Sequence, residues 1–229
     1  MHERISIVIP TYKENAYLGR TLENLRQQTV IDQAEIILAD YNPDASTWYK
    51  AYMGPNVRYV GVDRKGIAYG RHKGIEAAKG EVIVNFDADA RYDSANALSY
   101  MTESILAGRC VLTCCDNIFD LQGLSAKELE AMRIPIATAN MLCAMQRTAH
   151  LACLEPGSAF SRQAYNVVGG YNDVMQHELW LLSHRIMLKY LPFNIQHVPT
   201  AAVYVSARRA KKFVDLGIGV LDYSNKAFR

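Results

Sequence analysis

The stretch Glu81–Asp93, EVIVNFDADARYD, decides how the rest of the chain is read. Val82, Ile83, Val84 and Phe86 form an apolar, largely β-branched run, the composition of a strand buried on both faces. The run ends in two carboxylates, Asp87 and Asp89, with Ala88 between them. Residues i and i+2 of an extended chain point the same way, so both acids face one point just beyond the strand. Two like charges that close resist ionisation unless a cation or a set of donors lies between them. A hard divalent ion, held by one or two carboxylates and completed by phosphate oxygens, meets that need. The carboxyl end of a strand in an open α/β sheet is also where such folds place ligands. The plainer reading is a pair of turn or N-cap aspartates leading into a helix near Ser94.

Upstream, strands and helices alternate. Ile5–Ile9 is a short buried strand closed by Pro10, and Thr11–Asn15 is a polar turn before a helix carrying Leu18, Leu22 and Leu25. Glu35–Ala39 is a second strand ending at Asp40, Val57–Val62 a third, and Gly66–Lys79 a small-residue helix stopped by Gly80. This order predicts a mainly parallel, doubly wound sheet with Tyr12, Asp40 and Asp87 at strand ends facing one crevice. Neither a Gly-x-Gly-x-x-Gly turn after the first strand nor a Gly-x-x-x-x-Gly-Lys-Ser/Thr loop is present. Phosphates are therefore expected to be held by a metal and basic side chains. The missing dinucleotide turn also disfavours an oxidoreductase.

Downstream the pattern is less regular. It predicts a helix over Ser94–Leu106, a strand over Cys110–Cys114, helical pieces within 116–156, and a short strand at Ser158–Phe160. A helical turn over Arg162–Val168 ends at Gly169-Gly170, followed by a strong helix over Glu178–Tyr190 and a last strand at Val203–Val205. A basic run, Arg208, Arg209, Lys211 and Lys212, follows. With 229 residues and no repeat or linker, one domain over 1–229 is expected. A net charge of +2 argues against nucleic acid as the main partner. No apolar run approaches the roughly 18 residues of a membrane span, and MHERISIV lacks a signal-peptide layout. The five cysteines lack metal-type spacing and read as reduced packing residues of a cytoplasmic protein, with zinc not expected.

Three segments in order resemble the inverting, nucleotide-sugar-dependent glycosyltransferases of family 2 with the GT-A fold. They are ISIVIPTYKEN (5–15), RKGIAYGRHKGIEAAKGEVIVNFDADA (64–90) and GSAFSRQAYNVVGGYND (157–173). The resemblance implies a single Rossmann-like GT-A domain with a mainly parallel central sheet. Residues 1–93 would form the nucleotide-sugar half and residues 94–229 the acceptor-side half. It implies that Pro10, Tyr12 and Glu14 line the base and ribose, that Asp40 accepts a base N–H, and that Arg71 reaches the base or phosphates. Asp87 would meet the ribose or the metal's water shell, and Asp89 would coordinate the Mg or Mn bridging a pyrophosphate. Arg208 and Arg209 would clamp that pyrophosphate. The expected donor is a UDP-sugar, and the acceptor a glycan, a small molecule or a lipid-linked group. Each position also has a plainer role: Tyr12 in packing, Glu14 as a helix-start carboxylate, Asp40 as a loop cap, Arg71 as a solvated helix residue. The basic run reads equally as a solvated face or as a peripheral contact with an anionic membrane.

One departure matters. The family's Gly-Gly turn leads to a Glu-Asp pair at a helix start, the Asp acting as general base, with an Arg further along. Glu178 and Arg185 fit that spacing, but the base position is Leu179, which takes no proton. Four explanations stay open: Glu178, Asp173 or His177 serves as base; the acceptor is an already ionised phosphate; activity is lost; or the leucine was introduced to trap a complex. Leu179 is equally an ordinary apolar residue on a buried helix face. A non-catalytic nucleotide-sugar-binding module is the rival function. A nucleotidylyltransferase is disfavoured because no Gly-rich, Arg-containing loop follows Ile9. His184 and His197 are single histidines, more often structural than ligating.

Overall fold

Side-chain alternation along the first strand divides the core between the two faces of one sheet. In β1 (Ile5–Thr11), Ile5, Ile7 and Ile9 pack on one face and Val8 on the other, and all four are buried. The structure is a computed structural model that describes residues 4–13, 16–41, 48–149, 156–171, 178–190 and 194–208, without the side chains of 48–49, 146, 148–149 and 178–180. Glu14, Asp173, His177, Arg209 and the side chains of Glu178 and Leu179 thus lie outside the described residues.

The strands are β1, β2 (Ala34–Asp40), β3 (Val57–Gly61), β4 (Val82–Asn85), β5 (Ala90–Tyr92), β6 (Leu112–Asp120), β7 (Ser158–Ser161) and β8 (Ile195–Ser206). They form one eight-stranded sheet in the order β3-β2-β1-β4-β7-β6-β8-β5. The four strands β3-β2-β1-β4 and the pair β6-β8 run parallel, whereas β7 and β5 are antiparallel to their neighbours. The helices are α1 (Leu18–Arg26), α2 (Ile67–Ala77), α3 (Ala97–Leu106), α4 (Ala126–Ala149), α5 (Arg162–Val167) and α6 (Glu178–Tyr190). Leu18, Leu22 and Leu25 of α1 and Leu98 and Met101 of α3 cover the Ile7 face, while Ile75 of α2, Tyr165 of α5 and Leu182 and Ile186 of α6 cover the Val8 face. The result is a single α/β domain with a mainly parallel sheet, as the alternation predicts.

Several elements differ from the sequence expectation. Pro10 lies within β1 instead of closing it, opposite Ala39. A proline fits there because the pairing with β4 has already ended at Val8↔Asn85, so its absent N–H leaves no gap in that ladder. No helix begins at Ser94: α3 starts at Ala97, and Ala90–Tyr92 is a strand paired with β8. That three-residue strand is held from outside the sheet by Asn24 of α1, whose Oδ1 accepts from the Tyr92 N–H at 2.7 Å and whose Nδ2 donates to the Tyr92 carbonyl at 3.1 Å. Asp87 and Asp89 therefore occupy a turn between two strands, closed by the Ala90 N–H to the Asp87 carbonyl at 3.2 Å, and are not helix caps. The segment 126–149 is one helix, α4, with Pro135 inside it. Ser125 and Glu128 start it as a capping box, the Ser125 N–H donating to Glu128 Oε2 at 2.8 Å. β8 is 12 residues long where only Val203–Val205 was expected. Cys110, Cys114, Cys115 and Cys143 are free and buried, and burial pushes the Cys110 thiol up to about 11 and Cys115 well above its usual range, which disfavours the thiolate at those two. Cys153 lies outside the described residues.

Glycine sets how closely the layers approach. A Cβ on Gly80 would lie 2.6 Å from the Ile5 carbonyl carbon and 2.7 Å from the Ser6 nitrogen, both backbone atoms that cannot turn aside. Gly80→Ala is expected to cost at least about 2 kcal/mol of stability in urea unfolding. Gly108→Ala, at φ +69° with nothing within 4 Å, should cost only the left-handed backbone penalty of about 1 kcal/mol.

Candidate active site

Because β1, β2 and β4 run parallel, their carboxyl ends share one edge, and the polar residues that terminate them meet there. Asp40 ends β2 directly opposite Thr11 of β1. It is buried, and Thr11 Oγ1 donates to its Oδ1 at 2.8 Å. Tyr59 Oη approaches its other oxygen at 3.4 Å. A buried carboxylate fixed in this way presents a stationary acceptor, which a solvated loop cap does not. Tyr12, 38% exposed, is no core residue; its ring lies 5.8 Å from that of Tyr41. The Lys13 and Lys65 ammonium groups stand 5.5 and 4.9 Å from the Tyr12 ring, making this rim aromatic and cationic. Lys13 carries the sole positive φ of a non-glycine among the described residues, +55°, where the chain turns sharply out of β1.

The two aspartates of the β4–β5 turn are each met by an arginine. Arg71 of α2 is fully buried, so it is not a solvated helix residue, and its Nη2 donates to Asp87 Oδ1 at 2.6 Å. It reaches there because Gly70 and Gly74 let α2 lie directly on β1 and β2: Cβ atoms at these glycines would stand 3.4 Å from Pro10 Cβ and 2.4 Å from Val8 Cγ1. Asp89 Oδ2 lies 2.8 Å from Arg208 Nε, beyond the end of β8, and the Arg208 guanidinium sits 5.3 Å from the Tyr17 ring. Thr21 of α1 pins the turn by donating to the Ala88 carbonyl at 2.8 Å. A cavity of about 210 Å³ opens beside Asp89, with Arg20, Arg91, Asp120 and Tyr204 in its walls.

Arg185 of α6 is engaged away from the two aspartates. Its Nη1 donates to the Val168 carbonyl at 2.8 Å and its Nη2 to the Gly170 carbonyl, which locks α6 to the Gly169-Gly170 turn. The turn itself requires glycine, since Gly170 has φ +63° and a Cβ would meet the Tyr165 ring at 2.8 Å. Tyr171, next in sequence, accepts from Asn85 Nδ2 of β4 at 2.6 Å, and its N–H donates to Tyr165 Oη at 3.1 Å. Burial pushes Tyr165 up to about 12, so its hydroxyl stays protonated, and it lies 2.8 Å from His72 Nδ1. Asn85, Tyr165 and Tyr171 thus tie β4 to α5 and to the Gly169-Gly170 turn. His197 is held by Asp116 at 3.0 Å.

Strand-end patterns single out Asp40 and Asp87, the family resemblance singles out Arg71, and all three lie at this edge or pair with a residue there. Sequence reasoning missed Tyr17, Thr21, Asn24 and Asn85, whose roles depend on which remote segment packs against them. Nothing local signals that Asp89 meets a residue more than one hundred positions away.

Residues 6–167 match the sequence profile of glycosyl transferase family 2. The chain belongs to that family. This family 2 chain is 37% identical over 90 residues to EpsH of Bacillus subtilis (strain 168), named as a candidate glycosyltransferase, a match that covers 37% of this chain and 26% of EpsH. YfnE of the same organism, an uncharacterized glycosyltransferase, is 28% identical over 90 residues, covering 38% of this chain and 23% of YfnE. The mannosyltransferase PcManGT from Pyrobaculum calidifontis, solved with GDP-Man and Mn²⁺, superposes with a TM-score of 0.68 at 17% identity, covering 89% of this chain and 57% of that one. GalNAc-T7, solved with UDP, GalNAc and Mn²⁺, gives 0.66 at 18% identity, covering 90% of this chain and 44% of that one. The matches therefore span about a quarter of each curated relative and 57% of the mannosyltransferase chain. The fold of this family 2 chain is the GT-A fold.

Proposed function

We propose that this family 2 chain transfers a sugar, with inversion, from a nucleotide-sugar to an acceptor hydroxyl, using a divalent metal. The observation that carries this reading is the β4–β5 turn, which sets Asp87 and Asp89 one residue apart beyond the carboxyl end of β4, at the edge where Asp40 ends β2. Two neighbours of the same fold are solved with Mn²⁺ and a nucleotide or nucleotide-sugar, which supports a metal here. The residues fit such an ion. Asp89 is a hard oxygen ligand and already holds a cation, the Arg208 guanidinium. Among the described residues no group of three or more His, Cys, Asp or Glu forms a closed metal cage, so the ion's remaining ligands would be phosphate oxygens and water. Mg²⁺ or Mn²⁺ bound there would stabilise the charge that the departing nucleoside diphosphate gains.

The chain's own groups have separate tasks. Asp40 accepts a base N–H, Tyr12 and Pro10 form the wall against base and ribose, and Asp87 with Arg71 orients the ribose or the metal's water. Glu14 and Arg209 join this set from the family pattern, and Glu178 is the candidate base. Uridine is the proposed base of the donor, although neighbours are solved with GDP-Man as well as with UDP-GlcNAc. Residues 1–93 make up the donor half and 94–229 the acceptor half. No helix of the described residues is long and apolar enough to cross a membrane; a lipid-linked acceptor would be met by peripheral contact from the cytoplasm.

Thermal shift with UDP and GDP, each with and without Mn²⁺, tests the reading. UDP with Mn²⁺ is expected to raise Tm by several degrees and either component alone by much less. Nucleoside diphosphates that leave Tm unchanged in the presence of metal would exclude the proposed donor site. The second reading, a binding module without catalysis, is favoured by Leu179 and predicts donor binding with neither transfer nor donor hydrolysis.

A further inference from the structure

We infer that Arg208 is an internal occupant of the cation seat on Asp89, so that a divalent metal enters by exchange with it. The inference rests on the proposed donor reading. The two carboxylates of the turn are both held by arginines, but by arginines of different kinds. Arg71 lies within α2, is fully buried, and has no path away from Asp87 without moving the helix. Arg208 follows the last residue of β8 by two positions, its side chain is 30% exposed, and its guanidinium rests against Tyr17. Its backbone N–H donates to Ser206 Oγ at 3.1 Å, which fixes where the side chain departs from the strand. Asp87 therefore carries a permanent counter-charge and Asp89 an exchangeable one.

Guanidinium and a divalent ion both seek the Asp89 oxygens, one of which, Oδ2, Arg208 already engages. A metal arriving alone must break a charge-assisted contact and brings no anion in exchange for it. A metal arriving with a nucleoside diphosphate brings new anions within reach of the displaced guanidinium, which remains tethered at Ser206. The exchange thus makes metal and diphosphate binding mutually reinforcing: each removes the cost that the other faces. It also keeps two adjacent carboxylates neutralised whenever the site is empty.

Direct Mn²⁺ binding without nucleotide, read by the EPR signal of the free ion, tests the exchange. Arg208→Gln is expected to bind Mn²⁺ at least about fivefold more tightly than the wild type. Arg208→Lys, which keeps the charge, should stay near the wild-type value. UDP binding in the presence of Mn²⁺ should weaken in Arg208→Gln, because the phosphate partner is gone. Equal or weaker Mn²⁺ binding by Arg208→Gln, no binding by it at millimolar Mn²⁺, or the same gain in Arg208→Lys would overturn the exchange. Asp89→Asn in the same titration separates the two readings. Loss of Mn²⁺ binding there, with no gain in Arg208→Gln, removes the exchange alone. Unchanged Mn²⁺ binding in Asp89→Asn removes both the exchange and Asp89 as the metal ligand.

Discussion

Leu179→Asp is expected to raise transfer to a hydroxyl acceptor by about 10²-fold, the contribution a positioned general base makes. A sugar hydroxyl has a pKa far above 7, so its attack needs a group to receive the proton, and leucine offers none. The backbone at 179 lies in the first turn of α6, a helix anchored by Arg185 to the Gly169-Gly170 turn. Position 179 shares a face with the buried Leu182, Ser183 and Ile186, three, four and seven residues on. The substitution tests whether the position that carries the family's base in the resembling enzymes can carry one here. An aspartate in a first turn is favoured by the helix dipole. Leu179→Asn, similar in size but without basicity, should give no gain. Glu178→Gln should lower any residual activity. A phosphate acceptor changes the pattern: it arrives ionised, and neither substitution should then alter the chemical step. Brisk hydroxyl transfer indifferent to all three substitutions would place the base elsewhere.

Asp89→Ala is expected to weaken UDP binding in the presence of Mn²⁺ by more than about tenfold, roughly 1.4 kcal/mol, with little change in folding stability. The Asp89–Arg208 pair is partly solvated, and such pairs contribute about 1 kcal/mol or less. Asp87→Ala should weaken UDP binding too, but with a large loss of folding stability beside it. It removes the carboxylate that faces a fully buried guanidinium, at a cost of about 3 kcal/mol. Urea unfolding and calorimetric UDP titration on the same two variants therefore read out different quantities. A metal-independent UDP affinity shared by wild type and Asp89→Ala would sink the metal reading.

The half of the sheet that builds the candidate site was legible because its signals are local. Ile5–Ile9, Glu35–Ala39 and Val82–Val84 are apolar runs that remain strands whatever packs on them, and the acids at their ends keep their places. β5 was illegible because three residues make a strand only when β8 and Asn24 supply the partners. β8 was obscured by Pro199 and by its polar residues, and its pairing with β6 shifts register between Cys114 and Asp116. α4 gave no clean stripe, since Met132 and Cys143 are buried while Ile134 and Met141 are exposed, and Pro135 reads as a break. The arginine on Asp89 belongs to the same class of unseen feature, a pairing written in the topology and not in any window of sequence.

Gly74 beneath α2 works as a spacer of fixed thickness. With no side chain at 74, the helix lies nearer to β1 than an alanine there would allow, whereas a Cβ at 70 would meet Pro10 at an ordinary 3.4 Å. Arg71 projects from that lowered axis, and its reach to Asp87 is measured from there. Thickening the spacer would lift the arginine off the carboxylate before it disturbed any strand. The calibration of the Asp87 arm is therefore kept by a residue that touches no ligand and carries no charge, and a methyl group added at 74 is a change in the reach of residue 71.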